Sequence, residues 1–309
     1  MTAALAAGFA AGGYWFYDET PYYEKKEILK DLKEFRMDPT AIGSEIAVVR
    51  GSDHTRMVRA LLTQLGGLEA FIKPGERVLL KPNIGWDRQP EQAANTGPEL
   101  VEAMVVACRE AGAGKVLVTD VSLNDPKRCF HRSGIGPIAL KAGAEVVIPT
   151  ERDFVATVMK GDRLKSWPVA EIFHQVDRVI NLPIVKHHSL SGATLAMKNW
   201  FGAIGGARNR LHQDIHVSIA DLGATFRPTL TVMDATRVLL RNGPTGGSLD
   251  DVARRDTLIA GVDEVAVDAW SLRLLDKTPE EIPFLAYAQA RGLGMADLSK
   301  VRIHEQQIG

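Results

Sequence analysis

Residues 179–216 read VINLPIVKHHSLSGATLAMKNWFGAIGGARNRLHQDIH. The run at 179–182 has the length and composition of a buried strand, and a polar, cation-rich segment follows it directly. That segment holds four of the chain's eight histidines. Because open α/β sheets bind ligands beyond the carboxyl ends of their strands, we predict a functional site here.

Spacing within this stretch predicts how its side chains are presented. Ser191, Thr194 and Lys198 fall at i, i+3 and i+7, so a helix would show them on one face. His212 and His216, at i and i+4, would share one face of the next helix. Glycines at 202, 205 and 206 leave the backbone open to the close approach of a ligand or of another segment.

Short apolar runs and helical patterns alternate on both sides of the stretch. The apolar runs predict strands at 45–50, 77–81, 115–119, 144–148, 178–182, 229–233, 257–261 and 301–304. Periodicity and end signals predict helices at 55–65, 100–110, 136–141, 214–222, 264–275 and 284–291. Gly161-Asp162 predicts a hairpin turn between strands at 154–159 and 164–167. We therefore predict an α/β fold with a mainly parallel sheet flanked by helices and a small antiparallel addition.

Composition bounds the class of protein. The chain has 309 residues, 45% of them apolar and 24% charged, which is typical of a soluble globular protein. A net charge of -1 gives no electrostatic basis for binding nucleic acid. Cys108 and Cys129 form no CxxC pair, so this chain alone builds neither an iron–sulfur cluster nor a cysteine zinc site. Two buried thiols are favoured over one disulfide.

The N-terminal segment, residues 1–43, differs from the α/β domain predicted at 44–309. Its first 17 residues are mostly alanine, glycine and aromatic residues, with no charge before Asp18. This favours an export signal or a membrane anchor, although the basic start of a signal is missing and the run is short for a spanning helix. A cytoplasmic location stays open, as does a division of residues 44–309 into two lobes with the cleft between them. Residues 24–36 have the pattern of an amphipathic linking helix.

Polar side chains follow four of the predicted strands. Lys81 and Asn83 end one strand, Asp120 and Asn181 follow two others, and Asp234 follows a fourth. In a parallel sheet these ends lie along one edge, so we expect a shared cleft. Taken singly, each Asp or Asn could instead begin a turn or cap a helix.

Two further features suit an anionic ligand. Lys81 and Lys186 would place ammonium groups near the strand ends. Thr96, in Asn95-Thr96-Gly97, precedes a predicted helix whose first N–H groups could bind a phosphate or carboxylate, although capping explains these residues equally well. No GxGxxG or P-loop motif is present, so a nucleotide site has no support.

The clustered histidines suggest a divalent transition metal. His187, His188, His212 and His216 could supply imidazole ligands, with Asp120 adding a carboxylate. No HExxH motif supports this set. For each histidine alone, hydrogen bonding at a polar surface is an open alternative.

Several short segments resemble a known family. Lys81-Pro82-Asn83, Asn95-Thr96-Gly97-Pro98, Asn181-Leu182-Pro183, Lys186-His187-His188 and Met197-Lys198-Asn199 are similar to domain-of-unknown-function family 362. The resemblance covers roughly 45–305 and implies export or association with redox proteins, since many relatives are exported or fused to ferredoxin-type domains. The missing cysteine motifs set this chain apart from the fused relatives.

The family is also distantly similar to the nickel-pincer lactate racemases. His188 precedes Lys198 by ten residues, the spacing at which those enzymes place a histidine before the lysine that carries their cofactor. The resemblance implies a cofactor on Lys198 and a later histidine at His212 or His216.

Two functions remain in view. The first is an enzyme with redox or isomerase chemistry on a small anionic ligand beside a metal or metal-bearing cofactor, with Lys198, His188 and Lys186 as its reactive groups. Its predicted cofactor- or ligand-binding residues are Lys198, Ser191, Thr194, Lys81, Asn83, Thr96, Asn181 and Asn199. The second is a non-catalytic subunit whose aromatic N-terminus docks on a membrane or redox complex.

Overall fold

The computed structural model describes residues 29–36 and 45–309. The predicted signal or anchor therefore lies outside the described residues. Within the described ranges, no helix combines the length and apolar character needed to cross a bilayer.

Each of the ten predicted strands overlaps an observed strand, whereas β8 and β9 were not predicted. They are β1 (Glu45–Arg50), β2 (Arg77–Pro82), β3 (Lys115–Thr119), β4 (Glu145–Val147), β5 (Phe154–Val158), β6 (Ser166–Ala170), β7 (Arg178–Leu182), β8 (Ile184–His188), β9 (Gly192–Thr194), β10 (Leu230–Leu239), β11 (Val252–Gly261) and β12 (Arg302–Gln307). The α-helices are α1 (His54–Gln64), α2 (Pro98–Glu110), α3 (Pro126–Arg132), α4 (Ile135–Ala142), α5 (Ala196–Asn199), α6 (Ile215–Phe226), α7 (Glu264–Ser271) and α8 (Pro283–Ala290).

One mixed, mainly parallel sheet organises the described chain. Its order is β12-β1-β11-β10-β7-β2-β3-β4, and β8 and β9 extend it beside β10. The run from β10 to β4 is parallel throughout, whereas β11 is antiparallel to both of its neighbours. The predicted antiparallel addition is the separate pair β5 and β6. The predicted fold class is confirmed.

Helices cover both faces of the sheet. Alternating strand residues enter different clusters: Val78 and Leu80 belong to one, and Leu79 belongs to the other. Apolar side chains of α1, α2 and α4 complete the first cluster, and those of α6, α7 and α8 complete the second. Because both faces are buried, the central strands are continuous apolar runs, which is why they were predictable.

Strand β10 changes its partner halfway along its length. Its first residues pair with β7, and its later residues pair with β8, where Leu239 aligns with Lys186. Pro183 separates β7 from β8, and its carbonyl accepts a hydrogen bond from the Asp234 N–H at 2.8 Å. The chain therefore continues past the carboxyl end of β7, and β8 lies beside the later part of β10.

The helix predicted across Ser191, Thr194 and Lys198 is wrong. Ser191 lies in the turn between β8 and β9, Thr194 ends β9, and Lys198 lies on the short α5. Gly192, with φ of 78°, permits the turn, and antiparallel pairing with β8 holds β9 in the sheet.

Two further predictions about helices fail, although the helix predicted at 214–222 is observed as α6. His212 lies in a 3-10 segment, Arg208–Asp214, and His216 lies in α6, so the two rings do not share one helix face. Of the linking helix predicted at 24–36, only 29–36 is described, and this part is extended. Its Lys30 N–H donates to the Ala156 carbonyl at 3.0 Å, because β5 offers an unpaired edge there.

Candidate ligand-binding cleft

A cleft of about 300 Å³ opens beyond the carboxyl ends of β2, β3 and β7. Its walls come from the loops after β2 and β3, from the β8–β9 hairpin, and from the segment running from α5 to the 3-10 turn. The lining residues are Asn83, Gly85, Trp86, Asp120, Val121, Leu123, Lys186, His188, Ser189, Leu190, Thr194, Lys198, Asn199, Phe201, Gly202, Arg208, Asn209, His212 and Pro244. The volume fits a small organic molecule rather than a polymer.

Lys198 is the least satisfied cation of the cleft. Its side chain is 7% exposed, and its Nζ lies 4.3 Å from the centroid of the Phe201 ring. Among the described residues, no carboxylate oxygen lies within 4.0 Å of this ammonium. Its helix, α5, is fixed by Asp268, which accepts hydrogen bonds from the N–H groups of Ala196 at 2.7 Å and Met197 at 3.1 Å. Because Asp268 fixes α5, the buried Lys198 ammonium is held beside the Phe201 ring.

Lys186 and Arg208 add positive charge without carboxylate partners in the described chain. The Lys186 Nζ donates to the Asn83 Oδ1 at 3.1 Å and to the Ala94 carbonyl. The guanidinium of Arg208 donates to backbone carbonyls, including that of Val121 at 2.8 Å. These acceptors fix the positions of both cations but carry no formal negative charge.

The carboxylate of Asp120 attracts these groups only from beyond ion-pair distance, because its ion pair is with Lys81. The Lys81 Nζ lies 2.6 Å from the Asp120 Oδ1, and both side chains are almost fully buried. Asp120 also accepts a hydrogen bond from the Ile84 N–H at 2.5 Å. A Cβ at Gly202 would overlap this ion pair, which explains the glycine predicted to permit close approach.

Burial changes the protonation of the two lysines that line the cleft. Loss of hydration, followed by repulsion from Lys198, lowers the pKa of Lys186 to about 7. Loss of hydration, followed by repulsion from Arg208, lowers the pKa of Lys198 to about 7. Near neutral pH, both amines can therefore gain or lose a proton when a charged ligand arrives.

The two histidines of the cleft have different tautomers. The Nδ1 of His188 accepts N–H groups from Leu190 at 3.1 Å and Ser191 at 3.3 Å, so its ring proton lies on Nε2. Burial, with repulsion from Lys198, lowers the pKa of His188 to about 2. His212 donates from Nδ1 to the Arg208 carbonyl at 3.3 Å, which leaves a lone pair on Nε2. The rings stack with centroids 6.5 Å apart.

The structure brings only three of the five predicted metal ligands to the cleft, namely His188, His212 and Asp120. His187 does not line the cleft, and its Nδ1 accepts the Gly243 N–H at 3.1 Å. His216 packs against Phe284 with ring centroids 6.1 Å apart, also outside the cleft. Within residues 29–36 and 45–309, no three His, Cys, Asp or Glu side chains form a group suited to a metal ion. The protonated Nε2 of His188 likewise does not fit a ligand role beside Lys198.

The remaining predicted site residues divide into two groups. Asn83, Thr194 and Asn199 line the cleft with Lys186 and Lys198. Lys81, Thr96, Asn181 and Ser191 lie outside the lining and hold the surrounding backbone.

Two hydrogen bonds explain why the loop before α2 is not an anion site. The Thr96 hydroxyl donates to the Leu182 carbonyl at 2.7 Å. The Gly97 N–H, at the start of the helix, donates to the Asp234 Oδ2 at 2.6 Å. The protein therefore supplies its own carboxylate to this helix N-terminus.

Asn181 contributes through a buried amide network. It donates to the Ala196 carbonyl at 3.0 Å and to Glu264 at 2.7 Å, and it accepts from Asn199 at 2.8 Å. Asn199 also accepts from the Lys81 Nζ at 3.1 Å. The network joins the base of α5 to the ends of β2 and β7.

Several cleft residues were missed by sequence reasoning. Arg208 lies within residues 179–216, between the glycines at 202–206 and His212. Its closeness to Lys198 in the sequence was an available signal. The apolar lining residues Trp86, Leu123, Leu190 and Phe201 come from three separate loops and a short helical turn, so no local pattern joins them. Leu123 and Leu190 are 58% and 59% exposed, which places them at the mouth.

Both cysteines are buried free thiols, as predicted. Burial raises the pKa of Cys108 to about 12 and also raises the pKa of Cys129. Neither thiol lines the cleft.

Comparison with known proteins gives a family and a curated relative. The family model described as domain of unknown function (DUF362) matches residues 78–273. A thylakoid-associated protein of Synechocystis sp. is 28% identical over 261 residues, covering 81% of this chain and 79% of that protein.

Two solved structures are also similar. A protein from Thermotoga maritima matches with a TM-score of 0.42 and 10% identity, and the lactate racemase apoprotein from Thermoanaerobacterium thermosaccharolyticum matches with 0.39 and 11%. Each alignment covers 78% of this chain, which spans 60% of the length of either structure. The distant similarity to lactate racemase implied by the sequence is therefore found.

Proposed function

The chain belongs to the family described as domain of unknown function (DUF362), and we propose that its cleft binds a small organic anion with an apolar body. The observation that carries this proposal is the Lys198 ammonium, which is buried, lines the cleft and lacks a carboxylate partner among the described residues. A buried charge without a partner is costly, and an anionic ligand would supply the partner.

The strength of the attraction between opposite charges favours an anionic ligand over a neutral polar molecule. Two opposite unit charges 4 Å apart attract by about 4 kcal/mol at an effective dielectric constant of 20. Lys186 and Arg208 stand in the same cleft and add to the attraction. The neutral His188 contributes an Nε2–H donor without adding charge.

The arrangement of exposure supports an amphipathic ligand. Lys186 and Lys198 are nearly fully buried and form the floor, whereas Leu123 and Leu190 are more than half exposed at the mouth. Trp86 and Phe201 extend the apolar lining. An acidic head would enter first and meet the lysines, and an apolar body would cover the leucines as it binds.

A metal has no part in this proposal. Of the five predicted ligands, His187 and His216 lie outside the cleft, and His188, His212 and Asp120 line it without forming a group suited to a metal ion in the described chain. The cations of the cleft also repel a second positive charge.

Calorimetry with matched ligands tests the proposal. The probes are 4-methylpentanoate and its neutral amide, 4-methylpentanamide, which has nearly the same shape. We expect the carboxylate to bind at least about tenfold more tightly, since one lost charge contact of about 1.4 kcal/mol gives that factor.

Two variants complete the design. Lys198→Met should weaken carboxylate binding and leave amide binding almost unchanged. Lys73→Met serves as the control, because Lys73 is exposed and does not line the cleft. Equal affinities for acid and amide, or equal carboxylate affinity in Lys198→Met, would contradict the proposal.

A further inference from the structure

Lys81, Lys186 and Lys198 are buried lysines at this edge of the sheet, and their hydrogen bonds differ. The Lys81 Nζ donates to the Pro82 carbonyl at 2.9 Å, to Asp120 at 2.6 Å and to Asn199 at 3.1 Å. Three acceptors match the three hydrogens of an ammonium and hold that charged form.

Lys186 is held in a similar way. Its Nζ donates to Asn83 and to the Ala94 carbonyl, so two acceptors favour its protonated form. Lys198 has the Phe201 ring as its neighbour and no hydrogen-bond acceptor among the described residues. When Lys198 loses a proton, its lone pair is therefore not bound to another group.

The groups around Lys198 favour loss of that proton. Lys186 and His188 face it from β8, Arg208 and His212 face it from the 3-10 segment, and Asp120 is already paired with Lys81. A lysine that is desolvated and set beside other cations is the environment in which amines act as nucleophiles toward carbonyl groups.

We propose that the Lys198 amine captures the carbonyl group of an anionic 2-oxo acid as a covalent imine. This inference rests on the proposed function, because the carboxylate of the acid must first pair with the cations of the cleft; Lys186 and Arg208 hold it once Lys198 has lost its proton. The apolar part of the acid occupies the region of Trp86 and Leu190.

The step balances without an added oxidant or reductant. The nitrogen lone pair of Lys198 forms a bond to the carbonyl carbon, and the carbonyl oxygen takes up a proton to become a hydroxyl group. That hydroxyl group leaves as water after a second proton transfer, and a protonated imine remains. The net reaction consumes one amine, one carbonyl group and one proton, and it releases one water molecule.

His212 is placed to move a proton in this step. Its Nε2 carries a lone pair, because Nδ1 donates to the Arg208 carbonyl. The His212 ring packs edge-on against Phe201, with centroids 5.4 Å apart, and the Lys198 Nζ lies over the same ring. The positive charge of the imine stays where the ammonium was, so the charge balance with the carboxylate is kept.

Reductive trapping tests this inference. The full chain is incubated at pH 7 with 4-methyl-2-oxopentanoate and sodium cyanoborohydride, and each lysine's modification is followed by peptide mass spectrometry. We expect Lys198 to be modified at least about tenfold faster than the exposed Lys73, as for a bound reactant. Labelling should saturate with acid concentration and decrease when 4-methylpentanoate competes.

A conservative variant separates charge from nucleophilicity. Lys198→Arg keeps the positive charge but cannot form an imine under these conditions, so it should lose the fast labelling; its affinity for 4-methylpentanoate is measured in parallel to show how far the anion site is preserved. Modification of Lys198 at the rate of Lys73, while 4-methylpentanoate still binds, would overturn the imine and leave the proposed function intact. Failure of both acids to bind the wild-type protein would overturn both.

Discussion

Replacing Lys198 by methionine should stabilise the ligand-free protein, and the gain should depend on pH. The ordinary pKa of 10.5 applies to the unfolded chain, and the folded protein lowers it to about 7. This difference corresponds to roughly 5 kcal/mol of disfavoured protonation. Methionine has a similar length, lacks the charge and keeps the contact with the Phe201 ring.

The sign of the pH dependence follows from proton binding. Between pH 7 and 10.5 the unfolded chain binds more protons at this residue than the folded protein does, so wild-type stability rises with pH in that window. Below pH 7 both states are protonated and the full cost is present. From pH 6 to pH 9 the cost falls by about 2–3 kcal/mol, so the advantage of Lys198→Met should shrink by that amount.

The neighbouring lysine acts in the same direction. The charge of Lys198 is one cause of the lowered pKa of Lys186, so its removal lets the pKa of Lys186 rise. In the variant, protonation of Lys186 in the folded protein therefore costs less free energy than it does in the wild type. The difference between variant and wild type at low pH is therefore enlarged.

Denaturant unfolding at pH 6 and pH 9, at one ionic strength, measures this quantity. The buried Trp200 and Trp270 report on unfolding by fluorescence. Lys73→Met is the matched control and should change the free energy of unfolding by less than about 0.5 kcal/mol at either pH. A gain in Lys198→Met that is the same at both pH values, or a loss of stability at pH 6, would refute the assignment of a buried, uncompensated ammonium.

Two other predictions follow from the same geometry. Binding of 4-methylpentanoate at pH 8 should be coupled to proton uptake, because an anion raises the lowered pKa values of Lys186 and Lys198. Calorimetry in buffers of different ionisation enthalpy measures this uptake, and a binding heat that does not depend on the buffer would contradict the prediction. Gly202→Ala should lower the free energy of unfolding by about 2–4 kcal/mol, because its Cβ would overlap the Lys81–Asp120 pair. The control Gly85→Ala, whose Cβ would have no atom closer than 3.9 Å, should lower it by at most about 1 kcal/mol. Equal losses for the two variants in denaturant unfolding would count against this packing.

The prediction of the sheet succeeded where local pattern and burial coincide. Strands β1, β3 and β7 lie within the ranges that apolar runs indicated, because strands covered on both faces need continuous apolar sequence. The hairpin around Gly161-Asp162 was an equally local signal.

The prediction failed where a distant strand decided the local structure. Residues 191–198 have a spacing that suits a helix, yet β9 pairs with β8, and β8 in turn pairs with β10. Propensity is a weak preference that such pairing overrides. The histidines show the same limit, since His187 and His188 are adjacent in sequence but only His188 lines the cleft.

The sequence by itself determined the parallel sheet, the buried thiols and the segment that carries the cleft's cations, because each depends on short-range periodicity or composition. Only the tertiary structure decided which cations keep a partner. Lys81, Lys186 and Lys198 are the same residue type. Residues far along the chain give the first a carboxylate and the second two neutral acceptors, whereas the third has the ring of the nearby Phe201 and no such distant partner among the described residues. The charge that a buried amine carries depends on these long-range neighbours and on lost hydration, and neither is encoded in its local sequence.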